Sequence, residues 1–546
     1  MNKKIKIAIG QVNPQVGSIN NNINKIIEFV KKAEKQGVDL LCFPELAITG
    51  YPPEDLLLNN SFIKSVELSL KKLAPFSKKL SFIVGYPKRI ESKLHNTAGV
   101  FIGGKLKFEY NKMHLPNYGV FDESRYFTKG NEYLFFNLKN RRICLTICED
   151  VWVGPEILSK KIKSENANLL INLAASPFSM KKHHERIKVL NSISRNSSAE
   201  IAYCNLVGAQ DELVFDGQSM FLDSKGNIIS QAKDFKEDLL IKVLNHRNNY
   251  KNYSYNKKTK NIKLKNIFSA LSLGLKDYVR KNGFKKVVIG ISGGIDSALV
   301  AAVAVNALGR RNVSGVAMPT SFNSQLSLDL AKKLSSNLGF ILKDAPIQEI
   351  FDKNLSYLEE SIYGKTISDF TEENLQARIR ANILMAISNK LGCLLISTGN
   401  KSEISVGYST LYGDAAGAIA ILKDIPKTLV YELSKYYNLH NPQHSIPKKI
   451  ISRDPSAELR MNQKDSDSLP PYKILDQILE LYIEQGMSPK DISRSLNIKN
   501  KLVLGIIQKL NNNEFKRRQA PLGIKITSKA FGRDRRYPVT NGFSEA

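Results

Sequence analysis

Apolar positions recur along the chain in short runs and at helical spacing, and the two patterns alternate. Residues 4–12 read as a buried strand, and Ile19, Ile23, Ile26, Ile27, Val30 and Ala33 then recur along one helix face. A short apolar strand over 39–43 ends in Pro44-Glu45, after which Gly50-Tyr51-Pro52-Pro53 turns the chain into a helix near Glu54. Similar apolar runs follow over 80–84, 96–110, 142–147, 168–173 and 201–207. Helical patterns separate several of them, as expected of strands sheltered by helices.

The pattern lapses over 246–265, a stretch rich in Asn, Lys and Tyr with no period of 2 or 3.6 before Ile262. Such a shift marks a linker, so 1–245 and 266–546 are expected to be separate domains. In the second, a helix is expected over 267–282. The run KKVVIGISGGIDS at 285–297 then reads as a strand, a glycine turn and a helix start. The first N–H groups of a helix have no partner and point outward, so this junction is a ready anion site. Strand signals recur over 313–318, 341–347 and 394–397 with helices between, implying a parallel, doubly wound sheet with ligands at the carboxyl ends of its strands. Pro470 and Pro471 precede a further helix expected over 472–485.

Length agrees with this division, since 546 residues exceed what one compact core serves. Apolar residues at 42% and charged residues at 24% are ordinary for a globular protein. No apolar run is long enough to cross a membrane, and the first residues lack a signal-peptide pattern, so a cytoplasmic protein is expected. Five cysteines, odd in number and set among apolar neighbours, suit reduced thiols better than a disulfide framework. A net charge of +29 raises nucleic acid, acidic membranes or anionic small substrates as partners. The lysines are scattered in twos along predicted helices, without a basic tail or interleaved aromatics. A solvated surface is therefore expected, with no nucleic-acid or membrane partner.

Three strand ends in the first half carry a chemically capable residue: Glu45 in FPEL, Lys112 in NKMHLP and Cys148 in TICED. Singly, each has an ordinary explanation as a solvated acid, a surface lysine or a core thiol. Together they make a mechanism, because a nucleophilic thiol needs a base and an attacked carbonyl needs a cation for its oxyanion. FPEL, K-x-x-L-P and CED in this order resemble the carbon–nitrogen hydrolase, or nitrilase, superfamily. That resemblance implies an αββα sandwich in which Glu45 is the general base, Cys148 the nucleophile and Lys112 the stabiliser of the tetrahedral intermediate. Glu149 would support the site. The glutamine-hydrolysing branch further implies that Tyr118, Ser176 and Lys182 hold the substrate, with Tyr51 and Phe121 as wall residues.

In the second half, SGGIDS lacks the Gly-Lys-Ser ending of a Walker A loop. It resembles the signature of the ATP pyrophosphatases, a doubly wound, Rossmann-like fold. On that resemblance Gly290, Ile291, Ser292, Gly293, Gly294, Ile295, Asp296 and Ser297 form the ATP site, with Asp296 on Mg²⁺. SFNSQLS at 321–327 would border the adenine. The order of NLQARIRANILM from Asn374 and STGNKSEISVGYSTLYGDAAGAIAILKDIPKT from Ser397 resembles the NAD⁺ synthetase family. This implies Thr398 and Lys427 as further ATP contacts, and Asn374, Glu403 and Lys516 as contacts of deamido-NAD⁺. Glu403 would also share the Mg²⁺.

Both halves together resemble the glutamine-dependent members of that family. The resemblance implies ATP, deamido-NAD⁺ and L-glutamine as small-molecule substrates, Mg²⁺ as cofactor, ammonia passed through an internal channel, and a homo-oligomer. A stand-alone amidase joined to an ammonia-fed ligase, and a nucleic-acid-binding protein with a vestigial ATP fold, are the alternatives.

Overall fold

The computed structural model describes residues 4–245, 260–364, 369–461, 463–543 and 545. The chain divides into two compact units, Met1–Lys257 and Lys258–Ala546. The sequence stretch expected to be a linker lies outside the described residues up to 259. Residues 260–265 open helix Lys260–Lys281 instead, with Leu264 buried on the same face as Ile267 and Leu271.

The first unit is built on two six-stranded sheets. One has the order Asp238–Leu244, Ile5–Gln11, Leu40–Cys42, Ser81–Ile90, Lys93–Ile102, Lys105–Asn111. The other has the order Ile228–Gln231, Met220–Leu222, Glu200–Asn205, Leu169–Ala174, Arg141–Ile147, Leu134–Leu138. Strand alternation sends successive residues to two different cores. Ile5, Ile7 and Ile9 join Ile143, Leu145 and Leu169 in the layer between the sheets. Ala8 faces the other way, towards Ile23, Ile26, Phe29 and Val30 of helix Ile19–Lys35. Helices Pro155–Ser164 and Lys182–Ser197 add Leu158, Ile162, Leu190 and Ile193 to the core of the second sheet. The architecture is the expected αββα sandwich.

Two local readings are corrected. The apolar run over 96–110 is a hairpin, Lys93–Ile102 and Lys105–Asn111, turning at Gly103 and Gly104, both with positive φ. The helix expected near Glu54 is a 3-10 turn, Glu54–Leu58, followed by helix Asn60–Leu73, which Asn59 caps by accepting from the Ser61 N–H.

The second unit carries one fully parallel sheet, in the order Ile341–Asp344, Val313–Ala317, Val287–Gly290, Leu394–Ser397, Ile419–Ala420, Leu522–Gly523. The order reverses between Val287–Gly290 and Leu394–Ser397, a topological switch point of the kind where doubly wound sheets bind ligands. Helix Ile295–Leu308 starts there and is apolar nearly all round, as a helix buried in a unit's interior must be. The helix expected over 472–485 ends at Leu479 and continues as a wider π turn, Glu480–Glu484.

Candidate active sites

In the first unit Glu45 is wholly buried just beyond strand Leu40–Cys42. Its Oε1 accepts from Lys112 Nζ at 2.7 Å and from Asn96 Nδ2 at 2.7 Å, and its Oε2 from the Ala175 N–H at 3.0 Å. Gly85 makes room for it: a Cβ there would stand 2.4 Å from the Leu46 nitrogen and 2.9 Å from the Glu45 Cα. Lys112 Nζ also donates to both oxygens of Glu123, at 2.8 and 2.9 Å. Burial alone would lower the Lys112 ammonium, but Glu123 and Glu45 reverse this and hold it well above its usual range. For Glu123, burial pushes the carboxyl up to about 7 against the pull of Lys112, with Glu45 adding to the rise. Tyr51 donates its hydroxyl to Glu123 at 2.8 Å.

Cys148 opens the 3-10 turn Cys148–Val151 at the end of strand Arg141–Ile147, with φ at +42°. A non-glycine residue in the left-handed region is strained and persists only where its surroundings hold it. Asp150 supplies that hold. It accepts from the Ile147 N–H at 2.8 Å, the Tyr110 hydroxyl at 2.7 Å and the Met113 and His114 N–H groups at 3.2 and 3.0 Å. It thereby ties the turn of Cys148 to the segment that carries Lys112. Burial pushes the Cys148 thiol well above its ordinary range and Glu45 adds to this, while Lys112 opposes it. The resting thiol is thus protonated, and a nucleophile forms only when a base takes its proton.

The residues expected around the substrate are placed unevenly. Tyr118 is half exposed, packs edge-on against Phe121 and donates to Glu149 at 3.0 Å. It lines a surface depression with His114, Pro116, Glu149 and Val153, which neither Ser176 nor Lys182 borders. Ser176 is buried, and Arg186 grips it by donating to its Oγ at 3.2 Å and its carbonyl at 2.8 Å. Arg186 is itself paired with buried Asp216 at 2.7 Å. Lys182 starts helix Lys182–Ser197, and burial lowers its ammonium from its usual value.

In the second unit a cavity of about 500 Å³ opens at the carboxyl ends of the strands. It is lined by Gly290, Ile291, Ser292, Gly294, Ile295, Asp296 and Ser297 together with Asn374, Thr398, Glu403, Lys427 and Lys516. Gly293 alone of the expected set does not line it. Its φ is +77°, and a Cβ would stand 2.3 Å from the Ser327 carbonyl oxygen, so it packs the loop against the neighbouring segment. Lys427 Nζ bridges Asp296 Oδ2 at 2.5 Å and Glu403 Oε1 at 2.8 Å. Asn400 joins the same two residues, donating to Asp296 Oδ1 at 2.9 Å and accepting from the Glu403 N–H at 3.0 Å. Burial pushes Glu403 up to about 7 against Lys427, and the same two carboxylates hold Lys427 above its usual range despite burial. Asn374 accepts from the Thr410 hydroxyl at 2.7 Å, and Lys516 Nζ donates to the Gly407 and Ser409 carbonyls at 3.0 and 2.9 Å.

Several buried polar residues and cavity neighbours are given no role by the motifs. Glu123, Asn96 and Arg186 are polar residues whose burial no motif announced. Across the cavity, Glu458 accepts from Ser327 at 2.7 Å, Ser324 at 3.0 Å and Arg453 at 3.1 Å, strapping 453–459 over the 321–327 segment. Arg380 donates to the Met318 carbonyl at 3.0 Å.

Residues 267–520 match the NAD synthase family and residues 6–247 the carbon-nitrogen hydrolase family. Over 576 aligned residues the chain is 42% identical to the glutamine-dependent NAD(+) synthetase of Thermotoga maritima, covering 100% of both. It is also 42% identical to the Aquifex aeolicus protein of the same name, covering 99% of this chain and 100% of that one. Among solved structures it resembles glutamine-dependent NAD+ synthetase from Acinetobacter baumannii in complex with ADP, at 38% identity and a TM-score of 0.79, with 100% of both chains covered. Because the likeness runs through both units from end to end, and not through either alone, this chain belongs to the glutamine-dependent NAD(+) synthetase family.

Proposed function

We propose that this chain converts deamido-NAD⁺ to NAD⁺ with ATP and glutamine, releasing AMP, pyrophosphate and glutamate. The observation that carries the reading is the pairing, in one chain, of the buried Glu45–Lys112–Cys148 cluster with a cavity built on the SGGIDS loop. Residues 1–245 act as the glutaminase and 266–546 as the synthetase.

Glutamine, held by Tyr118, Ser176 and Lys182, presents its carboxamide to Cys148. Glu45 accepts the thiol proton as sulfur bonds to the carbonyl carbon, and Lys112 stabilises the oxyanion. The C–N bond then breaks, the proton on Glu45 goes to the departing nitrogen, and ammonia leaves. Water, deprotonated by Glu45, cleaves the thioester to glutamate and restores the thiol. Ammonia is mostly protonated in neutral water, so release inside the protein, through a channel, keeps it nucleophilic.

In the synthetase unit the nicotinate carboxylate of deamido-NAD⁺ attacks the α-phosphorus of ATP, and pyrophosphate leaves. Ammonia adds to the acyl adenylate and AMP departs, leaving the amide. Residues 290–297, Thr398 and Lys427 hold ATP, while Asn374, Glu403 and Lys516 face the dinucleotide. Asp296 and Glu403 converge on one ammonium, so they can also converge on Mg²⁺, whose remaining oxygen ligands would come from phosphates. The ion would supply charge neutralisation at the leaving pyrophosphate. Small soluble substrates suit a cytoplasmic enzyme, and the family resemblance a homo-oligomer.

Two variants test the division of labour. Cys148→Ala should lose glutamine-driven NAD⁺ formation by several orders of magnitude and keep formation from ammonium salt. Asp296→Ala should lose AMP release with either nitrogen source. Equal loss of both routes in Cys148→Ala, or surviving AMP release in Asp296→Ala, would overturn the assignment.

A further inference from the structure

Trp152 is the one tryptophan in the sequence, and it closes the turn that Cys148 opens. The Lys182 ammonium stands 3.8 Å from the centre of its ring. At that distance the negative face of the indole attracts a cation. The nearest carboxylate to this ammonium is on Glu185, at 3.9 Å on a side chain that is 51% exposed, a weak and solvated pair. Because Trp152 caps the turn that Cys148 opens, this contact sets the Lys182 ammonium against the segment that carries the nucleophile.

The choice of an aromatic partner has a chemical consequence. A buried carboxylate against Lys182 would neutralise it and compete with any anionic group of a substrate. An indole face holds the cation in place and leaves its charge and N–H donors unspent. We infer that Trp152 is a positioning residue for the amide donor: its ring seats the Lys182 ammonium so that it meets the α-carboxylate of glutamine. The inference rests on the reading of Lys182 as a glutamine contact.

Steady-state kinetics of glutamine-driven synthesis test it, with each variant normalised to its own ammonia-driven rate. Trp152→Leu should raise KM for glutamine about 5- to 30-fold with kcat changed less than about threefold, and Trp152→Phe should fall between Leu and the parent. Combined with Lys182→Met, Trp152→Leu should add nothing to the KM of the single lysine variant. An unchanged KM in Trp152→Leu, a parallel fall of kcat and kcat/KM, or additive losses in the double variant would each overturn the inference. The lone indole offers a second readout. In Cys148→Ala protein, which binds glutamine without turning it over, tryptophan emission should change saturably with glutamine, and no change would count against the seat. If Lys182→Met leaves KM unaltered, the underlying reading of Lys182 fails. If Lys182→Met raises KM and Trp152→Leu does not, the seat alone fails.

Discussion

Glu123 and Glu45 both draw on the Lys112 ammonium, so two buried carboxylates face one buried cation. Burial, with Glu45 adding to it against the pull of Lys112, pushes Glu123 up from an ordinary value of 4.5 to about 7. A carboxyl raised in the folded state contributes stability that is fully present below pH 4.5 and is lost as pH rises through about 7. Thermal denaturation between pH 5 and 8 should therefore show the parent losing more stability with rising pH than Glu123→Gln; equal slopes would show that Glu123 carries no such linkage. The positions of Glu45, Lys112 and Cys148, the trio proposed as catalytic, were legible because FPEL, K-x-x-L-P and CED set chemically capable residues at strand ends. Glu123 and Asn96 were not, because a polar residue in sequence reads as solvated. Their burial arises only when segments distant in the chain close over them. Asn96 stands between His95 and Thr97, three consecutive polar residues that the fold buries together.

Single turns carry much of the geometry at the scale of elements. The SGGIDS turn depends on Gly293, whose positive φ and contact with the Ser327 carbonyl leave no room for a side chain. Gly293→Ala should cost about 1–3 kcal/mol in backbone strain alone and shift the loop off its neighbour. AMP release with ammonium as nitrogen source should fall about 5- to 150-fold where that strain is borne in the transition state; unimpaired release would show that the loop tolerates displacement. The strand–turn–helix reading of this segment came through intact because an apolar run, a glycine pair and a helix start are all local signals. The hairpin at Gly103–Gly104 was missed because 96–110 reads as one run across a break of only two residues, although Lys105–Asn111 alternates polar and apolar side chains. Strands Ile419–Ala420 and Leu522–Gly523 were missed for another reason: two residues have no period, and only pairing within the sheet makes them strands. The strap over 453–459 has no local signal, since its hydrogen bonds to Ser324 and Ser327 join segments about 130 residues apart.

Over the whole molecule, the two units keep hydrophobic clusters of their own, and no helix among the described residues is long and apolar enough to cross a membrane. The net charge of +29 belongs to this scale, where solvent and salt screen the repulsion between scattered lysines. NAD⁺ formation at physiological ionic strength should be indifferent to added duplex DNA. A steep, salt-dependent inhibition would instead reveal a nucleic-acid surface. The alternation along Ile5–Gln11 has a last implication, for how the sequence can drift. Neighbouring residues of this strand belong to different cores, so replacing one apolar side chain by another of similar size disturbs a single layer. Adding or deleting one residue would exchange the inward and outward sets together, sending Ala8 into the layer built for isoleucine. Length changes in the first unit should therefore be confined to turns such as Gly103–Gly104, while the strands themselves accept spelling changes but not shifts of reading register.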